Sequence, residues 1–389
     1  MLSAHPLPGL FGDLEADDQV YRPRSAPLFR PHRIILTKGC VTTPERRAFV
    51  ERICAVYPRA EVVEQLDTPH NKINLGESDP LALHYEGRRT LVFGVHQSAL
   101  GRSSEENNTC PNFWHFSPYG YCPYGCQYCY LAGTQGVRFS PTVKIYVNLD
   151  DILAQVDRKA REIGRPEAFY LGKLQDGMAL DSLTGYSRIM IPFFAKHPFA
   201  RLRILSKCAD FANVLDLDHR GHTVLCWSLN PAAVRRAFEL ITPPIEDRIE
   251  AMRLCAEAGY PIRVMLMPII PIPDWQSHYD ELLEQLLTVV RVERITLGGV
   301  CSYGPAIQIM EAKLGKDNLI SRSLTVVDNG PDDGRVRYSR AQREVVYRHL
   351  LQTIRRCQPE QTCALCMEDV SMARDLGLYP NSGRCNCIL

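Results

Sequence analysis

The sequence predicts an α/β fold: a partial barrel of about six β/α units, preceded by a small β-α-β cap and followed by a cysteine-rich tail. The main observation is that apolar runs of strand length alternate with helix-length segments through the middle of the chain, which is typical of parallel βαβ units. A chain of 389 residues exceeds one average domain and suits a barrel with attachments. We expect an arm and cap at 1–88, a barrel at 89–325, and a helix with a tail at 326–389.

The first part of the chain reads as an extended arm and a structural cap. Five prolines fall within residues 1–32, which disfavours a packed unit there. A short apolar strand at 33–37 precedes Pro44, which begins a helix with an acidic residue in its first turn. A second strand at 60–64 completes the β-α-β cap.

The barrel strands are predicted from apolar runs separated by helix-length segments, such as 149–157 and 245–259. Because parallel barrel strands end at one common face, residues just after those ends are candidates for the functional site. A buried strand at 89–95 leads towards the cysteine loop, and the six predicted barrel strands are 144–148, 168–172, 202–206, 223–229, 262–267 and 294–298.

Three cysteines between the first two of these strands carry the strongest functional signal. Cys122, Cys126 and Cys129 are spaced C-x3-C-x2-C, so their thiolates can hold three corners of a [4Fe–4S] cluster and leave the fourth iron open. In radical SAM enzymes the open iron binds S-adenosylmethionine (SAM), and reductive cleavage of SAM yields a 5'-deoxyadenosyl radical. Tyr128 is expected beside the adenine. A zinc site normally has four ligands in two separated pairs, and this run has no nearby fourth.

Polar residues follow several predicted strands. Asp176 and Asp181 come after the strand at 168–172, and Lys207 follows the strand at 202–206. Ser228 and Asn230 end the strand at 223–229. These groups are expected to bind the carboxylate and ribose of SAM, and Lys207 and Asp176 are candidate catalytic residues. Tyr130, directly after the cysteine loop, is a third, as an aromatic residue able to stack on a base.

The loop and its flanks resemble the spore photoproduct lyase family of radical SAM proteins. That family also carries C-x3-C-x2-C followed by Tyr-Leu, and the resemblance extends over about residues 33–290. It implies a partial TIM barrel of radical SAM type, with Lys207, Ser228 and Asn230 at positions that contact SAM. The matching segments are 68–71, 122–134, 144–150, 205–207 and 227–230.

Two features differ from the resembled family and bear on the substrate. The lyases use a cysteine after the second barrel strand to return hydrogen to the product, and residues 172–181 contain none. Repair of DNA is therefore not the first expectation. The net charge of +1 gives no electrostatic basis for nucleic-acid binding. We expect a free nucleoside or nucleotide as substrate and consider DNA unlikely.

The second difference is a cysteine-rich C-terminus. A C-x2-C pair and a C-x-C pair supply four thiolates, enough for an auxiliary [4Fe–4S] cluster or, alternatively, a zinc site. These cysteines are Cys363, Cys366, Cys385 and Cys387. Cys110 is read as an ordinary thiol and Cys357 as a spare. Metal binding is expected to fold the tail back over the barrel mouth.

These observations predict a radical SAM enzyme that abstracts hydrogen from a nucleoside-type substrate, with the auxiliary cluster donating sulfur in the biosynthesis of a modified nucleoside. Alternatives are an electron relay through that cluster during a rearrangement or oxidation, and photoproduct-lyase-type repair. A zinc-binding nucleic-acid module without turnover is the non-enzymatic alternative. Fifteen cysteines without a signal peptide or long apolar span indicate a reducing cytoplasm and no membrane partner. A flavodoxin- or ferredoxin-type protein is the expected electron donor.

Overall fold

The computed structural model describes residues 28–104, 108–134, 140–325, 333–378 and 385–389. Most of the predicted arm, at 1–27, and most of the linker before the last long helix, at 326–332, lie outside these residues. Within the described ranges, no helix combines the length and apolar character needed to cross a membrane.

The described elements alternate between strands and helices. The strands are β1 Arg33–Thr37, β2 Glu61–Gln65, β3 Thr90–Gly94, β4 Leu100–Ser103, β5 Phe113–Phe116, β6 Tyr119–Gly120, β7 Val143–Tyr146, β8 Glu167–Leu171, β9 Ala200–Ser206, β10 Thr223–Ser228, β11 Ile262–Ile269, β12 Arg294–Gly299, β13 Cys301–Ser302, β14 Leu324–Thr325, β15 Val336–Tyr338 and β16 Cys363–Leu365. The helices are α1 Pro44–Val56, α2 Pro80–Arg88, α3 Leu149–Ile163, α4 Asp181–Thr184, α5 Ser187–Lys196, α6 Ala232–Phe238, α7 Ile245–Glu257, α8 Trp275–Val289, α9 Gly304–Leu314, α10 Arg340–Cys357 and α11 Val370–Asp375.

The N-terminal sheet is larger than the predicted cap. Its strand order is β2-β1-β3-β7-β6, with parallel pairing from β2 to β7 and β6 antiparallel to β7. The expected helix is confirmed as α1, where the Thr43 side chain caps the Arg46 amide at 3.3 Å. The strands predicted at 89–95 and 144–148 were assigned to the barrel, and this was wrong, because β3 and β7 pair within the N-terminal sheet. An apolar run predicts that a strand is buried but does not identify its partner.

The large sheet contains the remaining predicted strands in consecutive order. Its order is β16-β12-β11-β10-β9-β8-β5-β4, and every neighbouring pair from β16 to β5 is parallel. The predicted strands from 168–172 to 294–298 are confirmed as β8 to β12. Strands β10 and β12 are buried at every residue, as expected for parallel strands covered on both faces.

The two sides of the large sheet approach each other. Thr109, just before β5, donates from its amide to the carbonyl of Glu368 at 2.6 Å and from its hydroxyl to the carbonyl of Leu365 at 3.2 Å. Since five strands separate β5 from β16 in the sheet order, these bonds require the sheet to curl. The curled sheet encloses the space in which the candidate site lies.

The last five residues enter this enclosure at the amino-terminal halves of the strands. Asn386 donates from Nδ2 to the carbonyl of Val264 at 2.7 Å, and Arg294 Nη1 donates to the carbonyl of Cys385 at 2.8 Å. Lys207 and Ser228 mark the opposite, carboxyl ends of the strands. The expectation that the tail closes the mouth at those ends is wrong, because arginines at the starts of β11 and β12 bind the carbonyls of the tail.

Candidate active site

A cavity of about 410 Å³ lies inside the curled sheet. The three loop cysteines line it together with Lys207 and Ser228, which come from the carboxyl ends of β9 and β10. Functional residues of parallel β/α folds collect at these strand ends. The predicted loop and the predicted strand ends therefore meet at one place.

The cysteine loop is fixed by contacts on both sides. Gly125 adopts a φ of +56°, and a Cβ there would overlap the Arg88 guanidinium of α2. The amide of Gln127 donates to the carbonyl of Phe238 at 2.8 Å, which ties the loop to the end of α6. After Cys129 the chain turns into a 3₁₀ helix at Tyr130–Gly133.

The loop cysteines suit an iron–sulfur cluster better than a single metal ion. Within the described ranges, no three His, Cys, Asp or Glu side chains converge where one ion could bind. A cubane cluster does not require such convergence, because each cysteine ligates a different iron. Burial raises the pKa of Cys122 well above its ordinary value and that of Cys126 to about 11, so both thiols lose a proton when metal binds. Lys207 Nζ lies 3.7 Å from the sulfur of Cys126 and favours its thiolate.

A buried carboxylate, Glu239, connects three of the predicted SAM-binding residues. Its Oε1 accepts from Lys207 Nζ at 2.9 Å, from Asn230 Nδ2 at 3.1 Å, and from the hydroxyl of Tyr128. Its Oε2 accepts from Arg248 Nη2 at 3.0 Å. Burial alone would raise the pKa of Glu239, but Lys207 and Arg248 hold it well below the ordinary value. This carboxylate is therefore ionised and fixes the position of the Lys207 ammonium.

Sequence reasoning did not identify Glu239. The residue follows α6 and precedes Leu240 and Ile241, so it has no motif spacing to other site residues. A single acidic residue among apolar neighbours is the signal that was available. Asn230, predicted to contact SAM, does not line the cavity and instead supports Glu239, while Tyr279 donates to its Oδ1 at 2.8 Å.

The two predicted aspartates accept hydrogen bonds from nearby backbone amides and serine hydroxyls. Asp176 lines the cavity, but its Oδ1 accepts from the hydroxyl of Ser206 at 2.6 Å and its Oδ2 from the amide of Lys207 at 2.8 Å. Burial raises its pKa despite these bonds. Asp181 does not line the cavity and binds the amide and hydroxyl of Ser187. Asp176 thus positions the backbone of Lys207 just after β9.

Two other predicted residues do face the cavity. Ser228 donates from Oγ to the carbonyl of Met267 at 3.2 Å. Tyr130 is partly exposed and its hydroxyl donates to the carbonyl of Lys173. The ring of Tyr130 therefore stands beside the segment that follows β8.

The tail cysteines separate into two environments. Cys366 and Cys387 line the same cavity, and so does Cys110, whose sulfur lies 4.0 Å from that of Cys366. Cys363 packs in the main hydrophobic core instead. Cys110 was expected to be an ordinary thiol and Cys363 a metal ligand, and the structure brings the former, not the latter, to the cavity. Cys357 ends α10 against the same core.

Comparison with known proteins identifies similar sequences. Residues 29–297 match the sequence family described as spore photoproduct lyase. The spore photoproduct lyase of Clostridium acetobutylicum is 30% identical over 254 residues, which are 62% of this chain and 73% of that protein. The spore photoproduct lyase of Bacillus subtilis is 32% identical over 223 residues, 56% of this chain and 63% of that protein.

Solved structures share the fold. A spore photoproduct lyase complexed with dinucleoside spore photoproduct superposes with a TM-score of 0.73 at 24% identity, covering 86% of this chain and 98% of the other. A double mutant of a spore photoproduct lyase, with bound SAM and dinucleoside spore photoproduct, gives the same TM-score and coverage.

Proposed function

Because the chain belongs to the spore photoproduct lyase family, we propose that it is a radical SAM enzyme with a [4Fe–4S] cluster on Cys122, Cys126 and Cys129 and SAM beside it. The observation that carries this proposal is that the three thiols and Lys207 line one enclosed cavity. Three soft thiolates on one loop, beside a fixed cation, are the donor set that such a cluster requires.

The chain's own residues position and enclose the reacting groups. When bound, the reduced cluster and SAM supply a 5'-deoxyadenosyl radical that removes a hydrogen atom from the substrate. Glu239 holds Lys207 and Tyr128 against the loop, and Asp176 holds the backbone of Lys207. Ser228 and Tyr130 face the cavity, where they are available to SAM or substrate. A flavodoxin- or ferredoxin-type protein would supply the electron.

The substrate we propose is a photoproduct-type dinucleoside, cleaved by lyase chemistry. The matched family, the curated relatives and the neighbour complexed with dinucleoside spore photoproduct support this alternative better than sulfur insertion into a free nucleoside. They also weigh against treating DNA as an unlikely partner. Because residues 172–176 line the cavity without a thiol, the hydrogen returned to the product must come from another group.

The test is turnover of dinucleoside spore photoproduct by the anaerobically reconstituted, dithionite-reduced protein with SAM. We expect release of two thymidines together with formation of 5'-deoxyadenosine, both abolished by Cys126→Ala. Formation of 5'-deoxyadenosine without release of thymidine would retain the radical SAM assignment and reject this substrate.

Sulfur insertion is a second candidate. It is favoured by the thiols of Cys110, Cys366 and Cys387 on the wall of the same cavity, where a second cluster could serve as the sulfur source. In such a step the abstracted hydrogen leaves in 5'-deoxyadenosine, a carbon–sulfur bond forms, and the cluster gives up sulfide and accepts an electron. Mass spectrometry of a single turnover with pooled nucleosides checks this, and a product without new sulfur would reject it.

A further inference from the structure

We propose that Cys110, Cys366, Cys385 and Cys387 hold a second [4Fe–4S] cluster at the floor of the cavity, opposite the cysteine loop. Cys110 takes the place that the sequence pattern assigned to Cys363. This inference goes beyond the proposed function, because it concerns ligands that the SAM-binding loop does not provide.

The four thiols form two close pairs that face each other. The sulfurs of Cys110 and Cys366 are 4.0 Å apart, and Cys385 and Cys387 pack in one buried cluster with Phe113 and Tyr170. Cys366 is also within electrostatic range of both Cys385 and Cys387. Three of the four line the cavity, and Cys385 is fully buried behind Cys387. Four thiolates so placed match the number that a fully ligated cubane cluster takes.

Strand geometry explains why Cys363 is excluded. Side chains alternate between the two faces of a strand, so residues separated by three positions point to opposite faces. Cys363 begins β16 and packs in the main hydrophobic core, near Arg355 of α10, whereas Cys366, just beyond the strand, lines the cavity. The C-x2-C spacing suits metal binding when it lies in a turn. Here it begins in a strand, so Cys363 and Cys366 point to different sides.

Cys110 reaches the tail through the approach of the sheet's two sides. The hydrogen bonds of Thr109 to Leu365 and Glu368 hold the next residue against the end of β16. The Cys110 sulfur also accepts from the amide of Met367 at 3.3 Å. A thiol 256 positions earlier in the chain is thus placed beside Cys366 by backbone pairing.

Buried arginines supply the positive charge that such a cluster needs. Four thiolates and a cubane core carry net negative charge, which is costly to bury without cations nearby. Arg294 Nη1 donates to the carbonyl of Cys385 at 2.8 Å, and Arg263 Nη1 donates to that of Ile388 at 2.6 Å. Arg203 Nε also donates to the carbonyl of Ile388, at 3.3 Å. The guanidinium groups of all three are largely buried around the C-x-C segment.

The thiols do not meet at one point, as a single zinc ion would require. Tetrahedral zinc draws four sulfurs to about 2.3 Å from one point. Among the described residues, no three ligand side chains converge in that way. In a cubane cluster each thiolate binds a different iron, so the sulfurs of Cys110 and Cys366 move apart when the cluster binds.

The test measures iron and acid-labile sulfide after anaerobic reconstitution of the full-length Cys122→Ala/Cys126→Ala/Cys129→Ala variant. We expect about four irons and four sulfides per chain to remain, with the electron paramagnetic resonance signal of a reduced [4Fe–4S] cluster. Adding Cys110→Ala/Cys366→Ala, which leaves two of the four thiols, should lower the iron content at least fourfold, and Cys110→Ala alone should alter the electron paramagnetic resonance signal. Cys363→Ala, the matched control from the same tail motif, should change neither. The readout does not use SAM cleavage. The second-cluster assignment can therefore fail while the proposed function stands, and the proposed function can fail while the second cluster is confirmed.

Three outcomes would overturn the assignment: no iron in the triple variant, one zinc per chain in place of iron, or loss of iron in Cys363→Ala but not in Cys110→Ala. Cys110→Ser, which keeps the side-chain volume, guards against misfolding, and thermal unfolding of each variant checks that the fold persists. If both Cys110 variants fold and keep their iron with an unchanged electron paramagnetic resonance signal, Cys110 is not a ligand.

Discussion

Glu239 is the residue on which the candidate site depends most. It is fully buried, and it binds Lys207 and Arg248 through different oxygens. Breaking a buried ion pair by removing one partner leaves an uncompensated charge, which costs more than the pair itself contributes. The carboxylate therefore serves both stability and the placement of Lys207.

We predict that Glu239→Gln lowers the free energy of unfolding by about 3 kcal/mol, because two buried cations lose their counter-charge. Denaturant unfolding measures this loss, and equilibrium dialysis should show weaker SAM binding to the reconstituted variant. The matched control is Glu250→Gln, which removes an exposed carboxylate paired with Arg253 and should change neither property. Equal effects of the two substitutions would show that Glu239 has no special role.

Lys144 gives a prediction for pH dependence. It is buried in β7, where Nζ donates to the carbonyls of Ser140 and Thr142, and burial lowers its pKa to about 7. Between that value and the ordinary pKa of the unfolded chain, the unfolded state binds more protons than the native state. Stability contributed by this group must therefore rise with pH above 7, by at most about 1.4 kcal/mol per unit.

Lys144→Met should remove the part of the increase in unfolding free energy with pH that Lys144 contributes. The measurement is the difference in unfolding free energy between pH 7 and pH 9, compared between the variant and the wild type. Lys196→Met, at an exposed position, is the control and should keep the wild-type slope. A Lys144→Met slope equal to that of the wild type would contradict the lowered pKa.

At the scale of elements, the sequence was most informative about the buried parallel strands. Strands β8 to β12 are rich in apolar residues and largely buried, because both faces of the large sheet are covered, and all five were predicted. Strand β5 was missed, since it has four residues and mixes half-buried with buried positions. The three-residue β16 was missed too, and with it the reason why Cys363 and Cys366 point apart.

In the candidate site, too, residues within a local sequence pattern were predicted and residues placed by distant packing were not. The cysteine loop and Lys207 were predicted because they lie in a dense motif and directly after a clear strand. Glu239 and Cys110 reach the site only through packing between distant segments, which no local pattern records. The partners of β3 and β7 were misassigned for the same reason.

The segment after β8 gives a prediction for an element boundary. A Cβ at Gly177 would lie 2.6 Å from the Ile204 side chain and 2.9 Å from the carbonyl of Leu205. Gly177→Ala should therefore push this segment, including Asp176, away from β9, at a cost of about 1–3 kcal/mol. The free energy of unfolding in denaturant and the rate of 5'-deoxyadenosine formation should both fall. Gly304→Ala, where a Cβ meets nothing within 4 Å, is the control and should keep both.

At the scale of the whole molecule, one curled sheet brings together two sets of cysteines. The loop cysteines line the cavity near the carboxyl ends of the strands, and the C-terminal residues enter from the amino-terminal halves. The described part of the chain thus places two thiol sets on the wall of one enclosure. Radical chemistry requires such an enclosure, since water and side reactions must be kept from the reactive species.

The most direct test of the central claim is the formation of 5'-deoxyadenosine and methionine by the anaerobically reconstituted, reduced protein with SAM. The account predicts stoichiometric formation of both products, and none from the Cys122→Ala/Cys126→Ala/Cys129→Ala variant even if that variant retains iron. Intact SAM after incubation with a fully loaded, reduced wild-type protein would contradict the radical SAM assignment.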